Sequence, residues 1–415
     1  MNYRFFIYVA MAFLCSCNNR SKTDESNQPA YDISENGVRE IPLYSRHIIY
    51  ENKLSTVVSD VKFISLETEP VFNEADIRDI QLTDEHIFLT DIHHIRKYNK
   101  EGRFIQEIGQ RGEGPKEFIS IYPPIQVDYR NNLIYAVDGH RSRILRYGIE
   151  GNLVNVFSIE RTGSCIALID EHTIAIRQTM SERRFDNPCR LISFYNTDGE
   201  PVKSYQSNLY PMDCRKESFG PEASLLWKHK SNSYYLEYGA DTIFCVNNSA
   251  LIPKYKLTGN LKVEGEEIFL INSGRKLRNI QYPFLPYSSI FESDSFMIFR
   301  LASDYERFFA VYNKNTEEFH RTFHENPEVI SVRKQDNKLM DYFIDDLVSG
   351  LRINPQYQSR GHAIALIPAV TVCERKQEIL DFIDSYPTRE GDSLKSVIEN
   401  ITEEDNALVM TVTFK

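Results

Sequence analysis

From about residue 87 to residue 205, short apolar runs and polar turns follow one another in a pattern that occurs three times. Residues 87–91 are followed by 95–98, the turn 99–102 and 103–108. Residues 133–138 are followed by 144–147, the turn 148–151 and 152–157, and residues 173–177 by 191–195, the turn 196–199 and 200–205. The turns close on Gly102, Gly151 and Gly199, so the period is 49 and then 48 residues. Glycine at that position accepts the positive φ that tightens a hairpin connection. Units of about 40 to 50 residues with four short strands each predict propeller blades.

The later units are more degenerate. Residues 225–257 give a fourth, around Tyr234-Tyr235-Leu236 and Thr242-Ile243-Phe244. Residues 288–323 give a fifth, and 363–374 open a sixth. Two stretches read as helical, 338–348 and 376–386, the second with apolar Ile379, Leu380 and Ile383 on one face. Apolar strands also stand at 61–67 and at 407–415. A ring of blades needs its last sheet completed from the other end of the chain, because otherwise two edges stay unpaired; these two segments are expected to pair. The expected fold is all-β: a six-bladed β-propeller with four-stranded antiparallel blades, closed by N- and C-terminal strands, with small helical insertions near the C-terminus.

The start of the chain changes the picture of where this ring works. Residues 5–14 are apolar behind the single charge of Arg4. The stretch is too short for a bilayer core of roughly 30 Å, which takes about 20 residues, and fits the h-region of a signal peptide. Leu14-Cys15-Ser16-Cys17 resembles a lipobox, with Cys17 as the lipidated residue; Cys15 is the poorer acceptor because Phe13 and Leu14 would occupy the positions that need small residues. Residues 1–16 are therefore expected to be a lipoprotein signal, 17–40 a polar tether from the lipidated cysteine, and 41–415 a single propeller. The expected location is the cell envelope, as an outer-membrane lipoprotein facing the periplasm or the exterior. Asn18-Asn19-Arg20-Ser21 follows the cysteine, in place of the acidic run that accompanies surface display in some Gram-negative bacteria.

The net charge of −11, or −12 without Arg4, argues against a nucleic-acid partner. Beyond Cys15 and Cys17, five cysteines remain with no metal-ligand spacing, and their odd number leaves at least one thiol unpaired.

At residues 134–151, Ile134-Tyr135-Ala136-Val137-Asp138 followed by Arg143-Ile144-Leu145-Arg146-Tyr147 resembles an NHL repeat. Gly112-Glu113-Gly114-Pro115 within 105–118, Phe343-Ile344-Asp345-Asp346, and the ending Glu403-Glu404-Asp405-Asn406-Ala407-Leu408 are similar to the six-bladed β-propeller lipoproteins of Gram-negative bacteria. The resemblance covers roughly residues 60–415 and implies fold and export, with no activity and no catalytic residues to carry over. Lys116 and Ala407 depart from the family pattern, where a small residue and a proline are usual.

Strand direction predicts which loops converge. The turn between the second and third strands of a blade shares a ring face with the connector to the next blade. That face gathers His93, His94, Arg111, His140, Arg141, Arg183 and Arg184, and this rim is the candidate site for an anionic or polar ligand such as an acidic glycan or a peptide carboxylate. Asp91, Arg96, Asp138 and Arg143 read as turn-holding pairs. Enzymatic signals are weaker. Gly109-x-x-Gly112-x-Gly114-Pro115 lacks the Gly-Lys-Ser/Thr of a phosphate loop, and neighbouring His93 and His94 would point to opposite sides of a strand. Trp227 with Tyr282, Phe284 and Tyr287 reads as packing ahead of a sugar platform.

Two functions follow. The first is a membrane-anchored, non-catalytic binding or scaffolding protein for a glycan, a peptide or an envelope protein. The alternative is a propeller hydrolase or lyase with axial Ca²⁺ or Zn²⁺ near His140, His362, Asp138 or Asp304. No catalytic residue and no cofactor is assigned from sequence.

Overall fold

The computed structural model describes residues 37–43, 49–50, 53–160, 163–178, 190–206, 225–258, 285–302, 307–322 and 342–415. Blade 1 consists of Asp79–Leu82, His86–Thr90, Ile95–Asn99 and Phe104–Glu107, paired antiparallel in that order. Blades 2 to 5 follow in the same way: from Ile121–Asp128 out to Leu153–Ser158, from Gly163–Leu168 out to Pro201–Gln206, from Leu225–His229 out to Ala250–Thr258, and from Leu285–Glu292 out to Phe319–Thr322. Blade 6 runs Tyr357–Ser359, His362–Ile367, Leu408–Phe414 and, outermost, Val58–Ser65. The first strand of each blade packs beside the first strand of the next, and the last of them returns to Asp79–Leu82. The molecule is a closed six-bladed β-propeller.

Burial follows from this arrangement. The middle strands of a blade lie between two neighbouring sheets, so both of their faces are covered. Ile87, Phe88 and Leu89 are all buried, which is why the sequence reads there as an uninterrupted apolar run. On the outermost strand the pattern alternates: Phe104 and Gln106 are half-buried, Ile105 and Glu107 exposed. Each fully buried side chain of the size of Phe88 contributes about 1.5 to 3 kcal/mol.

The closing contact pairs Val61 with Val412 and Met410 with Phe63, antiparallel, as the two terminal apolar strands led one to expect. Two further strands were not anticipated. Arg39–Pro42 adds in parallel to the outer edge of blade 4, and Ile49–Tyr50 to that of blade 5, so both sheets have five strands. These additions cover edges that would otherwise offer free backbone groups. Arg39 and Glu40, expected in the tether, are therefore part of the folded ring, and Ile41 and Leu43 are fully buried in its core. Their signal was weak because the strands are short and make their pairs with residues more than 200 positions away.

Three helices stand between the second and third strands of blade 6: α1 (Ala369–Glu374), α2 (Lys376–Ser385) and α3 (Arg389–Asn400). The apolar faces Ile379/Ile383 and Leu394/Ile398 pack into one cluster with Leu54, Val57 and Phe343. Thr388 caps α3 by accepting from the Gly391 amide at 2.9 Å. The helix expected over 338–348 is corrected where it can be seen. Phe343–Ile344 is a short strand pairing with Arg352–Ile353, and 338–341 lie outside the described residues. Asp345 draws the amides of Leu347, Val348 and Ser349 onto its carboxylate at 2.9 to 3.1 Å, and that local competition folds a turn in place of a helix.

Candidate functional site

In blades 1 and 2 the turn between the second and third strands is held together by one carboxylate. In blade 1, Asp91 Oδ1 accepts from the amides of His93 and His94 at 2.6 and 2.7 Å, while its Oδ2 accepts from Arg96 Nη1 at 2.8 Å. His94 Nδ1 also lies 3.0 Å from Asp91 Oδ2. Burial works to raise the Asp91 pKa, yet the hydrogen bonds from Arg96 and His94 outweigh it and hold the carboxyl below its ordinary range. In blade 2, Asp138 is fully buried and meets Arg143 Nε at 3.1 Å.

The connector from blade 1 to blade 2 is fastened to the same face. Arg141 donates to the carbonyls of Glu113, Gly114 and Glu117 at 2.7 to 3.2 Å. Arg143 donates to the carbonyls of Pro115 and Glu117. Gly114 N–H donates to Glu117 Oε2 at 2.7 Å, so the Gly-Glu-Gly-Pro segment is a clamped structural loop.

The rim read from the sequence is thus partly consumed by its own framework. His94 and Arg141 are engaged as described. His93 is half-buried and its Nδ1 has no hydrogen-bond partner among the described residues. His140 is exposed, its ring 6.2 Å from that of Tyr122, and Arg111 is exposed on the clamped connector. These three stand on one ring face, whereas Arg183, Arg184 and Cys17 lie outside the described residues. Of the residues considered for an axial metal, His140, His362 and Asp138 do not line the axis. His362 sits on the second strand of blade 6 with Nδ1 3.0 Å from Thr413 Oγ1, and Asp138 is held in its turn by Arg143; Asp304 lies outside the described residues. Among the described residues no group of three or more His, Cys, Asp or Glu side chains stands close enough together to hold a metal ion.

A larger feature was not foreseen. The first strands of all six blades surround an axial channel of about 1240 Å³. Its mouth is formed by the turns between first and second strands, at Tyr129, Asp170, Lys230, Asp294 and Arg360, and therefore opens on the ring face opposite the rim. Lys228 lines it, with Nζ 3.2 Å from the Leu168 carbonyl; burial and the neighbouring Arg130 lower its pKa. At the mouth Lys230 and His229 meet Asp294 at 2.6 and 3.2 Å. Trp227 also lines the channel wall, but it is 8% exposed, stacks on Tyr234 at 5.5 Å and donates to Glu292 Oε2 at 2.9 Å. It is inter-blade packing.

At the inner end stand Arg78, Asp79, Cys165, Arg177 and Tyr357. Asp79 is 4% exposed; Gln81 Nε2 donates to its Oδ1 at 2.9 Å and the Ile125 amide to its Oδ2 at 3.0 Å. No cation lies within ion-pairing distance of it among the described residues, and burial pushes its pKa up to about 7 against those two hydrogen bonds. Burial likewise raises the Tyr357 hydroxyl to about 12, with Asp79 adding to the rise and Arg78 opposing it. The sequence signal for this site was faint, since its residues come from separate blades and the strands Asp79–Leu82 and Tyr357–Ser359 have only four and three residues.

A closed ring of six antiparallel sheets with an open polar axis defines the class, a six-bladed propeller. The chain belongs to the family described as a domain of unknown function, DUF4934, whose model matches residues 40–413. No curated protein matches it significantly. Among solved structures, a Bacteroides fragilis protein described as exported superposes with a TM-score of 0.63 at 16% identity, over 91% of this chain and 99% of its own. A DUF4221 family member from Bacteroides vulgatus gives 0.46 at 12% identity, covering 86% and 97%. Virginiamycin B lyase from Staphylococcus aureus gives 0.42 at 10%, covering 74% and 80%. At these identities the first likeness shows the fold alone.

Proposed function

We propose that this chain is an exported, lipid-anchored propeller that binds a polar ligand without transforming it, and that the ligand enters the axial channel. The observation that carries this reading is the channel itself. It is wide enough for several sugar units or a short peptide, is walled by side chains of both charge signs, and opens through Lys228, Lys230 and Arg360 in an otherwise acidic protein. Export is supported by the leader and by the Bacteroides fragilis structural relative, itself described as exported. The lipid anchor is assigned to Cys17, and the address to the envelope. Two acyl-type chains at that cysteine would make attachment stable.

The experiment is a glycan and peptide array probed with residues 18–415. Lys228→Glu is expected to lose the bound species at least tenfold, whereas the triple variant Arg111→Ala, His140→Ala, Arg141→Ala retains them. Loss only in the triple variant would move the ligand to the opposite rim, where Arg111, His140 and His93 with Arg183 and Arg184 would carry it. Turnover of a bound glycan or peptide would replace the binding reading with the hydrolase or lyase. Cys17→Ser is expected to release the protein from membranes, and continued membrane attachment would remove the anchor.

A further inference from the structure

We propose that the channel mouth is a carbohydrate-stacking site, in which the side chain of Tyr129 receives a sugar ring of a neutral oligosaccharide and Arg360 holds that side chain in place. The inference rests on the channel-binding reading above and names the class of the ligand. Three observations lead to it.

First, the fold sets an exposed aromatic ring at the mouth. Tyr129 follows the first strand of blade 2 and lines the channel, yet it is 52% exposed. Its turn is built by the neighbouring Asp128, which is 7% exposed. Asp128 Oδ1 accepts from the Arg130 and Asn131 amides at 3.2 and 3.3 Å, and its Oδ2 accepts from Asn131 Nδ2 at 2.8 Å. The backbone of the turn is therefore fixed while the ring stays out of the core.

Second, the ring is braced on one face only. Arg360 Nη1 donates to Asp84 Oδ1 at 2.6 Å, and the guanidinium carbon lies 5.2 Å from the centroid of the Tyr129 ring. Turns of blades 1, 6 and 2 are joined in this way, and the exposure of Tyr129 leaves the opposite face of the ring open. Arg360 and Gly361 form the two-residue connection between Ser359 and His362, with φ of 51° and 79°. Asparagine or glycine adopts that conformation at less cost, so the position is held for the arginine side chain.

Third, the groups left over in the wall are neutral. The cations of the mouth already face acids: Lys230 and His229 meet Asp294, Arg360 meets Asp84, and Arg130 lies 3.6 Å from Glu171. An acidic ligand would have to compete with these carboxylates. Gln358 Nε2 and Ser289 Oγ, on channel-lining strands of blades 6 and 5, are buried with no hydrogen-bond partner among the described residues. Hydroxyls, which both donate and accept, satisfy such groups without bringing a charge. A pyranose joins an apolar C–H face, suited to the negative face of an aromatic ring, to a rim of hydroxyls. A peptide supplies that pairing only where an aromatic side chain occurs, an oligosaccharide at every unit.

The test titrates residues 18–415 by calorimetry with cellohexaose, maltohexaose, mannohexaose and chitohexaose, beside hexagalacturonate and a blocked alanine pentapeptide with a central tyrosine. One of the four neutral hexasaccharides is expected to bind at least tenfold more tightly than the acid or the peptide. Tyr129→Ala is expected to weaken it at least tenfold with an unchanged melting temperature, and Tyr129→Phe, which keeps the ring, to stay within twofold of wild type. Arg360→Gln, which removes the brace and leaves the ring, is expected to weaken it at least threefold. No binding of any neutral hexasaccharide, tighter binding of the acid or the peptide, or an unchanged affinity in Tyr129→Ala would overturn the proposal. A species that is lost on Lys228→Glu but kept by Tyr129→Ala would do so while leaving the binding channel intact.

Discussion

Asn406 Nδ2 donates to the carbonyl of Pro70 at 3.1 Å, joining residues 336 positions apart. The same amide donates to the carbonyls of Glu67 and Thr68 at 2.7 and 3.0 Å, and its Oδ1 accepts from the Phe72 amide at 3.1 Å. One side chain, 2% exposed, thus lies within hydrogen-bond distance of four backbone groups of the segment that leads from the closing strand into blade 1, its two N–H donors shared among three carbonyls. The Glu-Glu-Asp-Asn ending seen in the sequence has a structural purpose.

Replacing Asn406 leaves those buried groups without partners. Asn406→Ala is expected to cost on the order of 3 kcal/mol, since each unsatisfied buried polar group costs about 1 to 3 kcal/mol and the segment can relax only in part. Asn406→Asp keeps the acceptor and loses the donors, and is expected to be nearly as costly. Urea unfolding midpoints measure both; a midpoint within error of wild type would contradict the role.

Asp79 gives stability a sign with pH. Its folded-state pKa is raised from 3.8 to about 7, so the folded chain holds the proton more tightly than the unfolded one. The stabilisation is complete below pH 3.8 and is lost as pH rises to about 7. The loss is on the order of 2 to 4 kcal/mol. Asp79→Asn is expected to flatten this part of the profile and to be the more stable protein above pH 7. Thermal melts of the two proteins across pH 5 to 8 decide it, and parallel profiles would show that Asp79 does not titrate in this range.

The two arginines of the blade 2 turn separate a local clamp from a global one. Arg141 touches only carbonyls of the connector, so Arg141→Ala is expected to cost about 1 kcal/mol or less overall. It should speed amide exchange at Gly112 and Phe118, whose N–H groups are bonded within the loop. Arg143→Ala strands the fully buried Asp138 and is expected to cost about 3 kcal/mol. Equal costs for both would refute the distinction.

How much of this was readable beforehand depends on where a residue's partners lie. Blades 1 to 3 declared themselves because their turns end on Gly102, Gly151 and Gly199, each with positive φ, and because Asp91–Arg96 and Asp138–Arg143 are local pairs. The closing strands were readable because both are apolar and a ring requires them. The channel was not, because Arg78, Asp79, Arg177 and Lys228 meet only after four blades have been arranged around an axis. Nor was the use of Arg141, whose partners are the carbonyls of a loop and carry no side-chain signature. Of the rim read from sequence, His94 and Arg141 are engaged by the turn and the clamp, and Arg183 and Arg184 lie outside the described residues.

Everything assigned to the channel requires that the ring be closed by its two ends. Asp60 and Thr413 are register partners across the closing pair. The double variant Asp60→Cys, Thr413→Cys, in a background where the native cysteines are replaced by serine, tests that register directly. Mild oxidation is expected to form an intramolecular disulfide in the folded monomer and to raise the melting temperature, since it ties a loop of more than 300 residues in the unfolded chain. A folded monomer that leaves both thiols free, or that links only between molecules, would contradict the closed ring and the site built on it.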